Sequence, residues 1–289
     1  MAVIESALRF SRHQANGVTL HVAEAGPSDG RVVILLHGFP EFWYGWRHQI
    51  DALAQAGCRV VVPDQRGYNQ SDRPPGVAAY DLDVLALDII GLADGLGARK
   101  LSLVGHDWGA SVGWWIASRH PERLDRFAAL NAPHPAVWMD AMRHDPQQRR
   151  KSRYVQAFRL PGLPEFLMRQ RNFQALAAAL RDGKRPEACS DADLALYRAA
   201  WSVPGALTAM VNWYRALLRK RVALADAGRI AVPTRVIWGR ADKFAIPELA
   251  ERSAKLCERG SVTYLDASHW VQHDEPARVN ELLLEFLRG

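Results

Sequence analysis

The chain of 289 residues carries 48% hydrophobic and 24% charged side chains, a globular balance that excludes a disordered or low-complexity protein. Its length suits one large α/β domain, or a core with an inserted subdomain. The formal net charge is +6, but the basic runs Arg149-Arg150-Lys151, Arg169-Gln170-Arg171 and Arg219-Lys220-Arg221 interleave no aromatics with a nucleic-acid fold signature and read as solvated helix faces.

Neither a nucleic acid nor a membrane is therefore expected as a partner. Cys58, Cys189 and Cys257 are scattered without C-x-x-C spacing, which argues against a disulfide framework and against a zinc site. Residues 1–14 hold no apolar signal-peptide core, and no stretch approaches about 18 apolar residues. The expected location is cytoplasmic. Asn69-Gln70-Ser71 fits the glycosylation pattern and, without export, is a chance match.

In chain order, residues 8–14 and 18–25 flank Asn16-Gly17 and predict a β-hairpin. Residues 31–36 and 58–62 are continuous apolar runs, the signature of buried parallel strands, with an amphipathic helix over 46–56 between them. A second helix over 80–96 aligns Leu82, Leu85, Ile89, Leu92 and Leu96 on one face. A strand then ends at Gly105, a helix runs to about His120, and another strand covers 126–130. From Asn131-Ala132-Pro133-His134-Pro135 to about Gly228 only helical patterning occurs, broken by Pro161, Pro164, Pro186 and Pro204. Strands at 234–238 and 261–265 resume the alternation, with helices at 248–256 and 277–287.

Such repetition predicts a mostly parallel sheet with helices on both faces. The all-helical stretch belongs over the carboxyl edge of that sheet, where open α/β folds bind ligands. The expected division is a core over 1–133, a helical cap over 134–229 and the rest of the core over 230–289. No G-x-G-x-x-G and no Walker A motif is present, and no cofactor is implied.

Gly105-His106-Asp107-Trp108-Gly109, between an apolar strand and a helix, has the strand–turn–helix context of a nucleophile elbow. Serine is the usual middle residue; here it is aspartate. A carboxylate that attacks carbon becomes an ester of the enzyme itself, so Asp107 points to displacement at a saturated carbon bearing a leaving group. The ester must then be hydrolysed, which needs a base and an acid to orient it. In this architecture the chain order is nucleophile, acid, histidine, each just after a strand. Asp242 follows the strand at 234–238 and His269 the strand at 261–265; the alternative acid position after 126–130 is occupied by Asn131. The turn His37-Gly38-Phe39-Pro40 is the expected oxyanion loop, with the amides of Phe39 and Trp108 facing the nucleophile. His37 and His106 read as structural hydrogen-bonding residues, and the Trp108 side chain as pocket wall or packing.

The chain resembles the α/β-hydrolase-fold epoxide hydrolases of the soluble, microbial type. The resemblance rests on His37-Gly38-Phe39-Pro40-Glu41 with Trp46-Arg47-His48-Gln49-Ile50, and on Asp64-Gln65-Arg66-Gly67-Tyr68 with Ser71-Asp72-Arg73-Pro74. It continues in Gly105-His106-Asp107-Trp108-Gly109-Ala110, Asn212-Trp213-Tyr214-Arg215, and Ser268-His269-Trp270 with Glu275-Pro276. It implies two cap tyrosines that protonate the epoxide oxygen: Tyr214 by its local motif and Tyr154 by its spacing before Pro161-Gly162, with Tyr197 as the fallback.

Dehalogenases with the same nucleophile are similar, but the haloalkane enzymes usually carry Asn where this chain has Phe39. The fluoroacetate enzymes carry arginines where it has Trp108 and Ser111. Asn69 stands where relatives commonly have Gly, and the turn is expected to survive because Asn tolerates positive φ.

The expected function is hydrolysis of a small hydrophobic epoxide to a vicinal diol through an ester on Asp107. Phe39 and Trp108 would also contact the substrate, and the protein would be a monomer or homodimer. The alternatives are a haloalkane or haloacid dehalogenase, and a non-catalytic binding protein for a small ligand.

Overall fold

Asn16 and Gly17 both adopt left-handed backbone (φ 48° and 75°), the geometry of a two-residue hairpin turn. They join β1 (Arg9–Ala15) to β2 (Val18–Ala25) in antiparallel register. In this computed structural model, which describes residues 8–185, 188–220, 222 and 227–288, the hairpin forms one end of an eight-stranded sheet. Pro186 and Arg221 lie outside the described residues. The remaining strands are β3 (Arg31–Leu36), β4 (Cys58–Pro63), β5 (Leu101–His106), β6 (Leu124–Leu130), β7 (Thr234–Gly239) and β8 (Gly260–Leu265). The order across the sheet is β1-β2-β4-β3-β5-β6-β7-β8, parallel from β4 to β8.

The apolar runs of the central strands divide with period two between two cores, one on each face of the sheet. Ile34, Leu36, Val61, Leu103, Phe127, Ala129, Val236 and Trp238 join one cluster. Their neighbours Val33, Leu35, Val60, Val62, Val104, Ala128, Leu130 and Ile237 join the other. The first face is covered by α2 (Leu82–Gly95), α3 (Trp108–Arg119) and α10 (Glu248–Ala254). The second is covered by α1 (Arg47–Gln55), α11 (Val271–Asp274) and α12 (Pro276–Arg288). Burial on both faces is what allows these strands to lack a polar side.

Between β6 and β7 the described residues form six helices, α4 (Pro135–His144), α5 (Pro146–Lys151), α6 (Arg153–Ala157), α7 (Leu163–Arg181), α8 (Asp191–Ser202) and α9 (Ala206–Arg219), followed by an isolated β-bridge from Ile230 to Cys257. One local expectation is corrected. Pro164 does not break a helix; it lies in the first turn of α7, where its missing N–H costs nothing. The break comes instead at Arg171, Asn172 and Phe173, which take left-handed φ of 49°, 53° and 60° and divide α7 into two arms. No helix among the described residues is long and apolar enough to cross a membrane.

Candidate active site

Five loops converge at the carboxyl edge of β3, β5, β6, β7 and β8, because parallel strands end on one side. Asp107 lies between β5 and α3 with φ 50° and ψ −119°, a strained conformation for a residue with a Cβ. Its N–H is fixed to the Leu130 carbonyl of β6. The sharpness of the turn depends on glycines. A Cβ on Gly109 would lie 2.1 Å from the Leu36 carbonyl oxygen, and one on Gly38 would lie 2.4 Å from the Asp107 Cβ. The chain after β3 therefore passes directly against the elbow, and the Phe39 N–H donates to Asp107 Oδ1 at 2.8 Å. Trp108 opens α3, so its N–H is one of the first-turn donors that have no acceptor within the helix. Among the described residues, the Phe39 amide alone is hydrogen-bonded to the Asp107 side chain.

Asp107 Oδ2 faces His269 Nε2 at 3.6 Å. The other ring nitrogen, Nδ1, lies 2.8 Å from Asp242 Oδ2. Asp242 is buried and fully engaged: its Oδ1 accepts from the N–H groups of Phe244 (2.7 Å) and Ala245 (3.0 Å). Its Oδ2 also accepts from Asn131 Nδ2 at 2.7 Å. Burial favours the neutral acid, but these donors and the His269 ring outweigh it and hold the Asp242 carboxyl below its ordinary range. Burial likewise disfavours a charged His269, yet Asp242 and Asp107 together lift its imidazolium to about 10.

Asn131, whose side chain cannot be a carboxylate, has a part the sequence does not show. It proves to be the support of the acid, with its own side-chain oxygen accepting from the Gly239 N–H at 2.9 Å. Its φ of 44° suits asparagine better than most other residues with a Cβ.

Tyr154 and Tyr214 line the same space as Asp107 and His269, their ring centroids 6.1 Å apart. Burial pushes both phenols well above their ordinary value, reinforced at Tyr154 by the Asp107 charge and at Tyr214 by Tyr154 and then Asp107, so each is held as a neutral donor. Tyr197, the fallback, faces elsewhere: its hydroxyl donates to Glu41 Oε1 at 2.8 Å. Trp108 is both wall and packing, its ring edge-on to Trp213 and Tyr214.

The open space extends in two directions from the carboxylate. On one side is an apolar cavity of about 250 Å³, bounded by Phe39, Phe158, Met168, Leu176 and Trp270. On the other is a pocket of about 60 Å³ reaching Ser111, Trp138 and Leu217.

The supporting shell was only partly legible. His37 Nδ1 donates to the Gly38 carbonyl and Nε2 accepts from the Gln65 N–H, a structural role as expected. His106 Nε2 donates to the His269 carbonyl at 2.9 Å, tying the elbow to the histidine loop. Behind it, buried Glu41 accepts from Tyr197 and His273 and lies 3.3 Å from His106 Nδ1. No periodicity in the chain announces that cluster. Asn69 adopts φ 41° as anticipated and donates to Asp64 Oδ2.

With this geometry in hand, comparison with known proteins gives its family. Residues 31–276 match the model of the alpha/beta hydrolase fold. A solved epoxide hydrolase from Bacillus megaterium, in complex with an inhibitor, superposes with a TM-score of 0.88 at 33% identity, over 96% of this chain and 100% of that one. Epoxide hydrolase A of Mycobacterium tuberculosis is 36% identical across 95% of each chain. The chain belongs to the epoxide hydrolases of the α/β-hydrolase fold. This chain is also 47% identical to the AB hydrolase superfamily protein YfhM of Bacillus subtilis, over 95% of this chain and 96% of that protein.

Proposed function

We propose that the protein converts a small hydrophobic epoxide to a vicinal diol in two steps, through an ester on Asp107. Residues 134–229 act as the cap, and the phenols of Tyr154 and Tyr214 hold the ring oxygen. Asp107 Oδ1 is occupied by the Phe39 amide, so Oδ2 is the free nucleophile. It attacks a ring carbon as the carbon–oxygen bond breaks, and the departing oxygen takes a proton from one of the phenols. A released alkoxide is far more basic than water, which is why a donor at this point matters. Formation of the ester removes the Asp107 charge that disfavours a phenolate, so the donor becomes a stronger acid as the nucleophile is consumed.

The same charge loss acts on His269. While Asp107 is ionised, two carboxylates hold the imidazolium; once it is esterified only Asp242 remains, and the ring gives up its proton to the phenolate left by the first step. It then takes a proton from water, whose oxygen attacks the Asp107 carboxyl carbon. The oxyanion develops on Oδ1, against the Phe39 amide and beside the first-turn amide of Trp108. Collapse releases the diol oxygen, which takes the proton from His269, and the regenerated Asp107 carboxyl returns its own proton to the ring, restoring carboxylate and imidazolium. The protein needs no cofactor for this sequence.

The observation that carries this reading is the pair of buried phenols sharing one cavity with Asp107 and His269. A dehalogenase would use the same nucleophile without them. A single turnover in heavy-oxygen water tests the covalent route: label is expected in the Asp107 carboxylate and not in the first diol released. Label appearing first in the diol rejects it. Replacing both tyrosines by Phe should abolish epoxide opening, whereas halide release from a haloalkane that persists at full rate while epoxides are never opened favours dehalogenation.

A further inference from the structure

Large apolar side chains are strongly exposed at few places among the described residues, and four of them fall within eight positions. Leu160, Leu163, Phe166 and Leu167 are 48%, 45%, 61% and 54% exposed, at the turn after α6 and along the first arm of α7. Phe166 is the most exposed of them. Scattered exposed leucines are ordinary; a contiguous group is a mark of an interaction surface.

The charge on this stretch is equally one-sided. Arg153, Arg159, Arg169 and Arg171 are all exposed, and none forms an ion pair among the described residues. Between residues 152 and 180 the only carboxylate is Glu165. It is buried, and Arg215 holds it at 2.8 Å. The stretch thus carries four exposed arginines and four exposed apolar side chains, with no exposed carboxylate of its own.

The helix has a second side. Met168 and Leu176 of α7 line the 250 Å³ cavity that reaches Asp107. The exposed face is therefore the outer side of a wall whose inner side meets the substrate space.

We propose that this surface docks the protein peripherally on an anionic lipid bilayer. Phe166, Leu167, Leu163 and Leu160 enter the boundary between headgroups and acyl chains, and the four arginines lie over the acidic headgroups. No helix among the described residues is long and apolar enough to cross a bilayer, and the proposed attachment is a peripheral, reversible one. A second copy of the chain is a poor occupant: a two-fold contact would bring eight unneutralised arginines together with no facing carboxylate from the same segments. A polyanion such as nucleic acid would neutralise the charge and leave the apolar centre uncovered. A bilayer with acidic headgroups satisfies both. The docking revises the expectation of a merely solvated basic face at Arg169-Gln170-Arg171 and of no membrane partner. It is independent of the reaction proposed above, although it would bring an apolar epoxide dissolved in lipid to the cavity wall.

The test is flotation of the intact protein with vesicles of phosphatidylcholine alone or of phosphatidylcholine mixed with phosphatidylglycerol. Binding is expected on the acidic vesicles only and should weaken as salt is raised. Each arginine neutralised should lower partitioning about fivefold, so Arg159→Gln with Arg169→Gln should lower it roughly 30-fold. Phe166→Ser with Leu167→Ser should abolish retention at every salt concentration. Both pairs are exposed, and each variant should keep the parent circular dichroism spectrum and melting temperature. Equal binding to both vesicle types, no binding to either, or binding indifferent to both pairs overturns the proposal. So does a dimer in light scattering that the Phe166→Ser, Leu167→Ser pair dissociates, which assigns the surface to a second copy.

Discussion

Replacing Gly38 by Ala should disable the nucleophile while leaving the fold in place. The added methyl would stand 2.4 Å from the Asp107 Cβ and 2.5 Å from its Oδ1. Ordinary carbon contacts begin about 1 Å further out, and the Asp107 backbone cannot retreat freely because its N–H is bonded to Leu130. Gly38 has no left-handed φ, so the effect is one of space alone. The carboxylate must move by roughly 1 Å, which stretches the 2.8 Å bond from the Phe39 N–H beyond hydrogen-bonding range. A displacement of that size costs about 100-fold in rate, and loss of an oxyanion donor about 100- to 1000-fold. The two losses share one cause and do not multiply, so kcat should fall about 100- to 1000-fold. Overpacking should cost about 1–3 kcal/mol of stability, a fall of several degrees in Tm. Diol formation under steady state, read beside a thermal melt, measures both. A kcat within about threefold of the parent, in a variant melting at the parental temperature, would refute the reasoning that close approach of the two loops aligns the nucleophile.

Two further outcomes follow from the charge arrangement. In Asp242→Asn, the amide must face either the Phe244 and Ala245 N–H groups or the side of Asn131 and His269, so a donor is left against a donor. The His269 tautomer then shifts and ester hydrolysis should slow about 10⁴-fold, leaving an alkylated Asp107 visible by mass spectrometry; turnover with no accumulated ester contradicts this. His269 binds its proton more tightly folded than unfolded, so its ion pairs contribute fully below about pH 6.5 and are lost as pH rises toward about 10. Stability should decline across that window, and Asp107→Asn should flatten the decline by removing one of the two anions. Denaturation midpoints that fall equally steeply in parent and variant rule out the pairing.

The elements and their order are legible along the chain. Alternation of apolar residues between two cores is written locally, which is why the runs at 31–36 and 58–62 correspond to β3 and β4 to within one residue. Turn chemistry is also local, so Asn16-Gly17, the elbow glycines and Asn69 could be read from residue type. The chain order of Asp107, Asp242 and His269 followed from strand ends, and the structure brings the three together at 3.6 and 2.8 Å.

Which side chains meet across elements distant in the chain is set by packing alone. Tyr154 and Tyr197 both lie on helices of the same stretch; packing turns one toward Asp107 and the other toward Glu41. Asn131 supports Asp242 across 111 positions, and Glu41 gathers three other side chains, with no spacing rule to reveal either. The break at Arg171–Phe173 has no proline or glycine to mark it. Strand and helix follow from neighbours along the chain, whereas convergence, strain and exposure depend on how finished elements fill space against one another.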